Sequence, residues 1–272
     1  MGNTVTRLAG KYAIITGATT GIGKAIAIRF AQEGANVAVN CRSVDKDAEA
    51  ALAEVQAASS ADSGTRHILV QGDVSKENEV QAMFRNAIAD FGSLDILVNN
   101  AGIQKPAASE EVEMEDFDRV LNVNLRGAFL CAREALSHFL QRNKPGVILN
   151  NSSVHELIPK PKYVPYSISK GGLENMTKTL ALEYASRGIR VNAVGPGAII
   201  TPINDAWTND PKAKAEVESH IPMGRAGRAE EIAAVFAFLA SEDASYITGQ
   251  TLFACGGLTL YPEFRVAWSS GE

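Results

Sequence analysis

The chain has 272 residues, 46% of them hydrophobic and 21% charged, a composition that excludes a mostly disordered polypeptide and suits one large α/β domain. With 26 Lys plus Arg against 31 Asp plus Glu the net charge is −5, so electrostatic capture of nucleic acid or an anionic membrane is not expected. Cys41, Cys131 and Cys255 lie far apart with no C-x-x-C pair, and His67, His138, His155 and His220 are scattered, so neither a disulfide framework nor a metal site is expected. The opening MGNTVTRLAGKY lacks the apolar run of a secretory signal, and no apolar stretch reaches the ~20 residues that span a bilayer. The expectation is a cytoplasmic protein.

Short apolar runs alternate with helical patterns. Residues 12–15 form the first run, closed by Thr16-Gly17, and a helix over 24–32 follows. The second run, 36–39, precedes an Ala-rich helix over 44–58. The third, 67–70, precedes a helix over 77–89 with Val80, Met83, Phe84, Ala87 and Ile88 at helical spacing. Residues 96–98 lead into one long helix over 117–139. Residues 147–149 come before a helix marked by Leu173, Met176, Leu180 and Tyr184, and 189–191 before a helix over 230–239; 250–253 is the last run. The runs are apolar on both faces, as parallel strands covered by helices on both sides are. The pattern predicts one α/β domain, a doubly wound, seven-stranded parallel sheet flanked by helices. Residues 198–224, with their prolines, Trp207 and a helical pattern over 211–220, read as a substrate lid, and 260–272 as an aromatic C-terminal tail.

Two constellations carry chemistry. Thr16-Gly17-Ala18-Thr19-Thr20-Gly21-Ile22-Gly23 joins the first strand to the first helix, where glycines let a pyrophosphate approach the backbone and the helix N-terminus offers free N–H groups. Tyr166 and Lys170 stand four apart, on one face of a helix that Pro165 can open. An ammonium at ~4 Å contributes on the order of 4 kcal/mol at an effective dielectric of ~20, enough to lower a tyrosine pKa by roughly 3 units.

The glycine spacing G-x-x-x-G-x-G resembles that of the short-chain dehydrogenase/reductase family, a Rossmann-type fold. Six more motifs match in order: Asp73-Val74, Asn99-Asn100-Ala101-Gly102, Asn124, Ser153, Tyr166-x-x-x-Lys170 and Pro196-Gly197. The resemblance implies a catalytic tetrad of Asn124, Ser153, Tyr166 and Lys170. Tyr166 would be the general base, Ser153 would hold the reacting oxygen, and Asn124 would hold a water that links Lys170 to solvent. It also implies a dinucleotide site made of Gly17, Thr19, Gly21, Ile22 and Gly23, of Asp73 and Val74, and of Asn100, Ala101 and Gly102. Tyr166, Lys170, Pro196, Gly197, Ile199 and Thr201 would complete it.

An acid normally ends the second strand and binds the adenosine ribose; here the segment reads Asn40-Cys41-Arg42-Ser43. Arg42 and Ser43 would welcome a 2′-phosphate, so NADP is the expected cofactor, with NAD also usable. Residues 152–156, 195–204 and 221–224 and the Tyr261-Pro262 tail resemble the bacterial glucose 1-dehydrogenases of that family. That implies a homotetramer acting on a sugar held by Gln104, Ser153, His155, Tyr166 and Asn204, with glucose oxidised at C1. Three positions depart from the branch: Gln104 stands where Glu is common, Lys160 where an aromatic is usual, and Cys255 where an acid precedes Gly256-Gly257. Gly171 and Gly172, early in the Tyr166 helix, would let another subunit come close. A broader carbonyl or ketone reductase is the alternative enzyme. A dinucleotide-sensing regulator is an alternative of another class, which the intact tetrad opposes.

Overall fold

The computed structural model describes residues 6–60 and 64–260, so the tail beyond Leu260 lies outside the described residues. The elements follow in order: β1 (Tyr12–Ile15), α1 (Gly21–Gln32), β2 (Asn36–Cys41), α2 (Lys46–Ala58), β3 (His67–Gln71), α3 (Glu77–Phe91), β4 (Ile96–Asn99), α4 (Met114–Leu121) and α5 (Gly127–Gln141). Then come β5 (Gly146–Asn151), α6 (Val164–Tyr184), β6 (Ile189–Pro196), β7 (Ile199–Ile200), α7 (Asp205–Thr208), α8 (Pro211–Ser219), β8 (Gly227–Arg228), α9 (Ala229–Ala240) and β9 (Thr251–Ala254).

Seven strands form one parallel sheet in the order β3-β2-β1-β4-β5-β6-β9. Every residue of β2 and β4 is buried, which is why these strands read as unbroken apolar runs. Ile26, Phe30 and Val55 of α1 and α2 and Phe236 of α9 pack on one face of the sheet. Met83 and Phe84 of α3, Leu130 and Phe139 of α5 and Leu180 of α6 cover the other. Burying each of these large side chains is worth about 1.5–3 kcal/mol. The chain leaves β1 outward through β2 and β3, then returns to β4 on β1's other side. A crevice opens at that reversal, at the carboxyl ends of the strands, where open α/β sheets bind ligands. Among the described residues no helix is long and apolar enough to cross a membrane, and all three cysteines are free and buried.

The structure refines three expectations. The long helix over 117–139 is interrupted: α4 ends at Leu121, a wide π-turn runs over Asn122–Arg126, and α5 resumes at Gly127. The Asn124 side chain in that turn bonds the backbone of Ile103, a tertiary demand that helical spacing does not reveal. The helix expected from residue 44 starts at Lys46, because the Asp45 carboxylate caps it by accepting from the Ala48 N–H at 3.0 Å. The segment 198–224 contributes β7, which pairs with β8 in a separate two-stranded sheet, and the helices α7 and α8, neither of which has a buried residue. Strands of two residues are too short to show periodicity.

Candidate active site

A cleft of about 1400 Å³ runs along the carboxyl ends of the strands, from the β1–α1 loop to α7 and α8. At one end its wall is backbone. Gly17 (φ +59) and Gly21 (φ +54) hold left-handed conformations that a side chain would strain. A Cβ on Gly23 would collide with the Asn100 amide and the Gly17 carbonyl. Polar side chains tie this loop to the neighbouring strands. Gly17 N–H donates to Asn40 Oδ1 (3.0 Å), and Asn100 Nδ2 donates to the carbonyls of Thr16 (2.9 Å) and Gly17 (3.0 Å). Thr16 Oγ1 accepts from the N–H groups of Asn100 and Ala101, and Asn151 Nδ2 donates to Asn100 Oδ1 at 2.8 Å.

The residues present fit a dinucleotide. Helix α1 has no side-chain cap and no acid in its first turn, so its first N–H groups remain available to a phosphate. Asn151 Oδ1, on the cleft wall, is buried without a protein partner. Thr19, Ile22, Val74, Gly102, Pro196, Gly197, Ile199 and Thr201 also line the cleft, as expected from the sequence. Asp73 lines it too; burial pushes its carboxyl up, but hydrogen bonds from Ser75 outweigh that and hold it below the usual range. Arg42 lines the same end and is exposed. Ser43 does not line it: its hydroxyl donates to Asp45 Oδ2 at 2.9 Å, drawn toward the cap of α2.

The first turns of α6 bring Tyr166 and Lys170 together. Lys170 is buried, its Nζ donates to the Asn151 carbonyl at 2.7 Å, and it lies 5.4 Å from the centre of the Tyr166 ring. Ser153 is buried at the start of the turn Val154–Glu156, accepting from the His155 N–H at 3.1 Å. The electrostatics differ from the sequence argument. In the polypeptide by itself burial pushes the Tyr166 hydroxyl up; the Ser153 hydroxyl pulls it back and Tyr163 adds to the rise. Burial pushes Lys170 down to about 8, against the opposing charge of Glu156. Spacing alone counts the attraction between the pair and omits the cost of desolvating both.

Asn124 does not line the cleft. It is buried behind the wall, with Oδ1 accepting from Ile103 N–H (2.8 Å) and Nδ2 donating to the Ile103 carbonyl (2.9 Å) and Ser169 Oγ (3.1 Å). These bonds tie the π-turn to Ile103 and to α6 and use one of the two lone pairs of Oδ1.

At the other end the wall is built of side chains. The His155 ring meets Tyr166 edge-on, centres 6.2 Å apart. Burial keeps His155 below its usual pKa, although the Ile158 carbonyl opposes this. His155 Nδ1 contacts that carbonyl at 3.0 Å. A carbonyl only accepts, so Nδ1 carries the proton and Nε2 is left as an acceptor. Gln104 Nε2 donates to the Ile203 carbonyl (3.1 Å) and Asn204 Nδ2 to the Ile199 carbonyl (2.8 Å). Both amides line the cleft with their oxygens unspent, and both tie it to the segment that carries α7.

Glu156 is the residue the sequence reasoning missed. It is half-buried in the turn behind Ser153, accepts from the Ser152 hydroxyl and from Thr251 of β9, and burial pushes its carboxyl above the usual range. It pins the Ser153 turn to the last strand and lies within electrostatic reach of Lys170. An acid three residues after Ser153, in a turn too short for a solvated face, is the available signal.

A nucleotide-binding loop, a half-buried tyrosine over a buried lysine and an adjacent serine at one strand-end cleft define a dinucleotide-dependent oxidoreductase site. A family model described as enoyl-(acyl carrier protein) reductase matches residues 17–259. The chain is 52% identical over 264 residues to a glucose 1-dehydrogenase of Gluconobacter oxydans, covering 97% of each chain. It is 50% identical to 3beta-hydroxysteroid dehydrogenase 1 of Eggerthella lenta, over 95% of this chain and 97% of the other. Among solved structures it matches a gluconate 5-dehydrogenase from Burkholderia cenocepacia in complex with NADP and tartrate, with TM-score 0.86 and 33% identity, over 94% of this chain and 98% of that one. The chain belongs to the short-chain dehydrogenase/reductase family.

Proposed function

We propose that this protein oxidises an aldose, D-glucose, at C1 to the lactone with a nicotinamide dinucleotide, NADP preferred and NAD also used. The observation that carries the reading is the polar wall beside Tyr166: an acceptor nitrogen on His155 and free amide oxygens on Gln104 and Asn204. A ring of hydroxyls needs such fixed partners, whereas a bulky ketone calls for an aliphatic and aromatic lining. The glucose 1-dehydrogenase relatives, at 52% and 47% identity, support the choice.

The glycine loop, Asp73-Val74, Asn100 to Gly102, Pro196-Gly197, Ile199 and Thr201 would hold the cofactor, with Arg42 on the 2′-phosphate. When bound, its nicotinamide accepts a hydride from the carbon being oxidised. Tyr166 takes the proton from that carbon's hydroxyl and Ser153 holds the oxygen. Lys170 steadies the phenolate and the ribose, and Asn124 holds a water that links Lys170 to solvent. Residues 198–224 serve as the lid of a single-domain, cytoplasmic enzyme. A homotetramer completes the reading. Phe129 on α5 and Ile168 and Leu182 on α6 are exposed, and a Cβ at Gly171 would meet open space. Gly172 is explained within the chain, since a Cβ there would strike Leu125. Light scattering at micromolar protein checks the assembly; a monomer overturns it.

A broader carbonyl reductase is favoured by one observation, the apolar Leu157, Ile203 and Trp207 that share the cleft. The deciding measurement is kcat/KM, from the near-ultraviolet absorbance of reduced nicotinamide, for glucose, xylose, galactose, sorbitol and a simple secondary alcohol. Glucose exceeds sorbitol, which lacks the hemiacetal, by at least ~1–3 kcal/mol in transition-state binding. If sorbitol or the alcohol is the better substrate, the aldose reading falls and the carbonyl reductase takes its place.

A further inference from the structure

The cleft has an unbalanced charge. Arg42, Arg119, Lys160 and Lys170 line it, but Asp73 is the one carboxylate among the described lining residues. Asp73 lies within electrostatic range of Arg42, at the glycine-loop end. The chain as a whole carries −5, so positive charge is concentrated here against the overall balance. Arg42 and Lys170 have work in holding the cofactor, and Arg119 is exposed on α4. Lys160 is left over.

Lys160 stands in the rigid segment Pro159-Lys160-Pro161, between the Ser153 turn and α6. Its Nζ sits 3.9 Å over the ring of Tyr163, and that ring meets Tyr166 edge-on with centres 6.5 Å apart. Its charge also reaches His155. Lys160 is therefore one aromatic ring from the catalytic tyrosine, at the end of the cleft that would take substrate. Among the described residues no carboxylate pairs with it. Burial alone moves its pKa, downward, so the protein bears a desolvation cost there with no compensating charge. The flanking prolines fix the backbone, which lowers the entropy lost when the ammonium engages a ligand. The Tyr163 face holds the ammonium by cation–π attraction and leaves its N–H donors free for an acceptor.

We propose that Lys160 is an anion-recognising subsite, through which the cleft takes, beside D-glucose and in preference to it, an aldose that carries a carboxylate: a hexuronic acid, oxidised at C1 by the same chemistry. This rests on the aldose reading above. A single ammonium with no second cation acting on it suits the single charge of a carboxylate better than a phosphate. The step balances as for glucose: the C1–H leaves as hydride to NADP, the hydroxyl proton passes to Tyr166, and the C6 carboxylate is unchanged.

The test compares D-glucose, D-glucuronate and D-glucose 6-phosphate on the wild type, Lys160→Met and Lys160→Arg, all with NADP. In the wild type kcat/KM for glucuronate exceeds that for glucose by ~10-fold or more, as a desolvated charge pair requires. Lys160→Met lowers that ratio by ~10-fold or more, chiefly through KM, and Lys160→Arg restores most of it. A wild type that favours glucose, or a ratio unmoved by Lys160→Met, overturns the proposal; a preference for the phosphate overturns the carboxylate assignment. If none of the three sugars is oxidised while a secondary alcohol is, the aldose reading has failed instead. Calorimetric titration of the NADP-loaded enzyme with glucuronate and glucose then decides the subsite. Tighter glucuronate binding that Lys160→Met abolishes upholds it, and equal binding overturns it.

Discussion

The two ends of the cleft are built on opposite plans. At the glycine-loop end the wall is main chain, locked by the side chains of Thr16, Asn40 and Asn100 on loop and strand backbone, with Asn151 holding the Asn100 amide. At the end beyond Tyr166, where we propose the sugar binds, the wall is side chain, and its outer part, α7 and α8, buries no residue at all. The first plan suits a ligand whose diphosphate is always the same. The second suits a ligand whose identity can change with a few substitutions, since altering Gln104, His155 or Lys160 disturbs no strand. This difference explains how relatives with similar identity, 52% and 50%, bear the names of a sugar and a steroid dehydrogenase.

The largest effect is expected where the two ends meet. Tyr166→Phe lowers turnover by at least ~100-fold, as removal of a general base does, while NADP affinity from a fluorescence titration stays close to wild type. Retention of more than about a tenth of activity would show that another group is the base. Lys170→Met damages both turnover and cofactor affinity. It also moves the pH–rate limb of the oxidation to higher pH. The phenolate is the active form, so the rate rises as pH passes the Tyr166 pKa. Removing a neighbouring positive charge disfavours the phenolate and raises that pKa.

Arg42→Asp asks whether the cofactor end discriminates through charge. It removes an attraction to the 2′-phosphate and adds a repulsion, so NADP weakens relative to NAD by roughly 2–4 kcal/mol. Equal losses for the two cofactors, measured by steady-state kinetics, would show that Arg42 does not meet the phosphate.

Gly23→Ala probes the locked end directly. The new methyl would occupy space held by the Asn100 amide and the Gly17 carbonyl. Overpacking of this kind costs ~1–3 kcal/mol. The melting temperature falls and NADP binding weakens together. A variant with unchanged stability would mean that the Asn100 network gives way easily and that this end is softer than its hydrogen bonds imply.

The same contrast governs what was legible in the sequence. Parallel strands covered on both faces leave unbroken apolar runs, so all seven strands of the main sheet could be read, and the glycine loop announces itself because backbone geometry restricts residue type. Asn124 was legible as a mid-helix amide, but not the π-turn it sits in, since that turn answers to Ile103, 21 positions away. The bond from the Ser43 hydroxyl to Asp45, at the cap of α2, was not legible either, since it follows from where that helix starts. Glu156 went unread because its partner Thr251 lies at the far end of the chain. The Tyr166 electrostatics were half-read: spacing supplies the partner, but burial, which sets the direction, is a property of the whole fold.

The smallest effect on stability, and the sharpest on the comparison, belongs to Trp207 of α7. It is half-buried and lines the cleft, on an element with no buried residue. Few core contacts depend on it, so Trp207→Ala costs no more than ~1 kcal/mol of stability, a drop of roughly 2–4 °C or less in Tm. Its aromatic surface nevertheless closes the sugar end, and losing it raises KM several-fold with a smaller change in kcat, the signature of binding shared by ground and transition states. Cofactor affinity, governed by the other end, stays near wild type. A large fall in Tm would mean that α7 belongs to the core and that the sugar end is as fixed as the cofactor end. An unchanged KM would mean that the lid closes without it. Only the combination of a steady Tm, steady cofactor binding and a raised KM keeps the two ends separable.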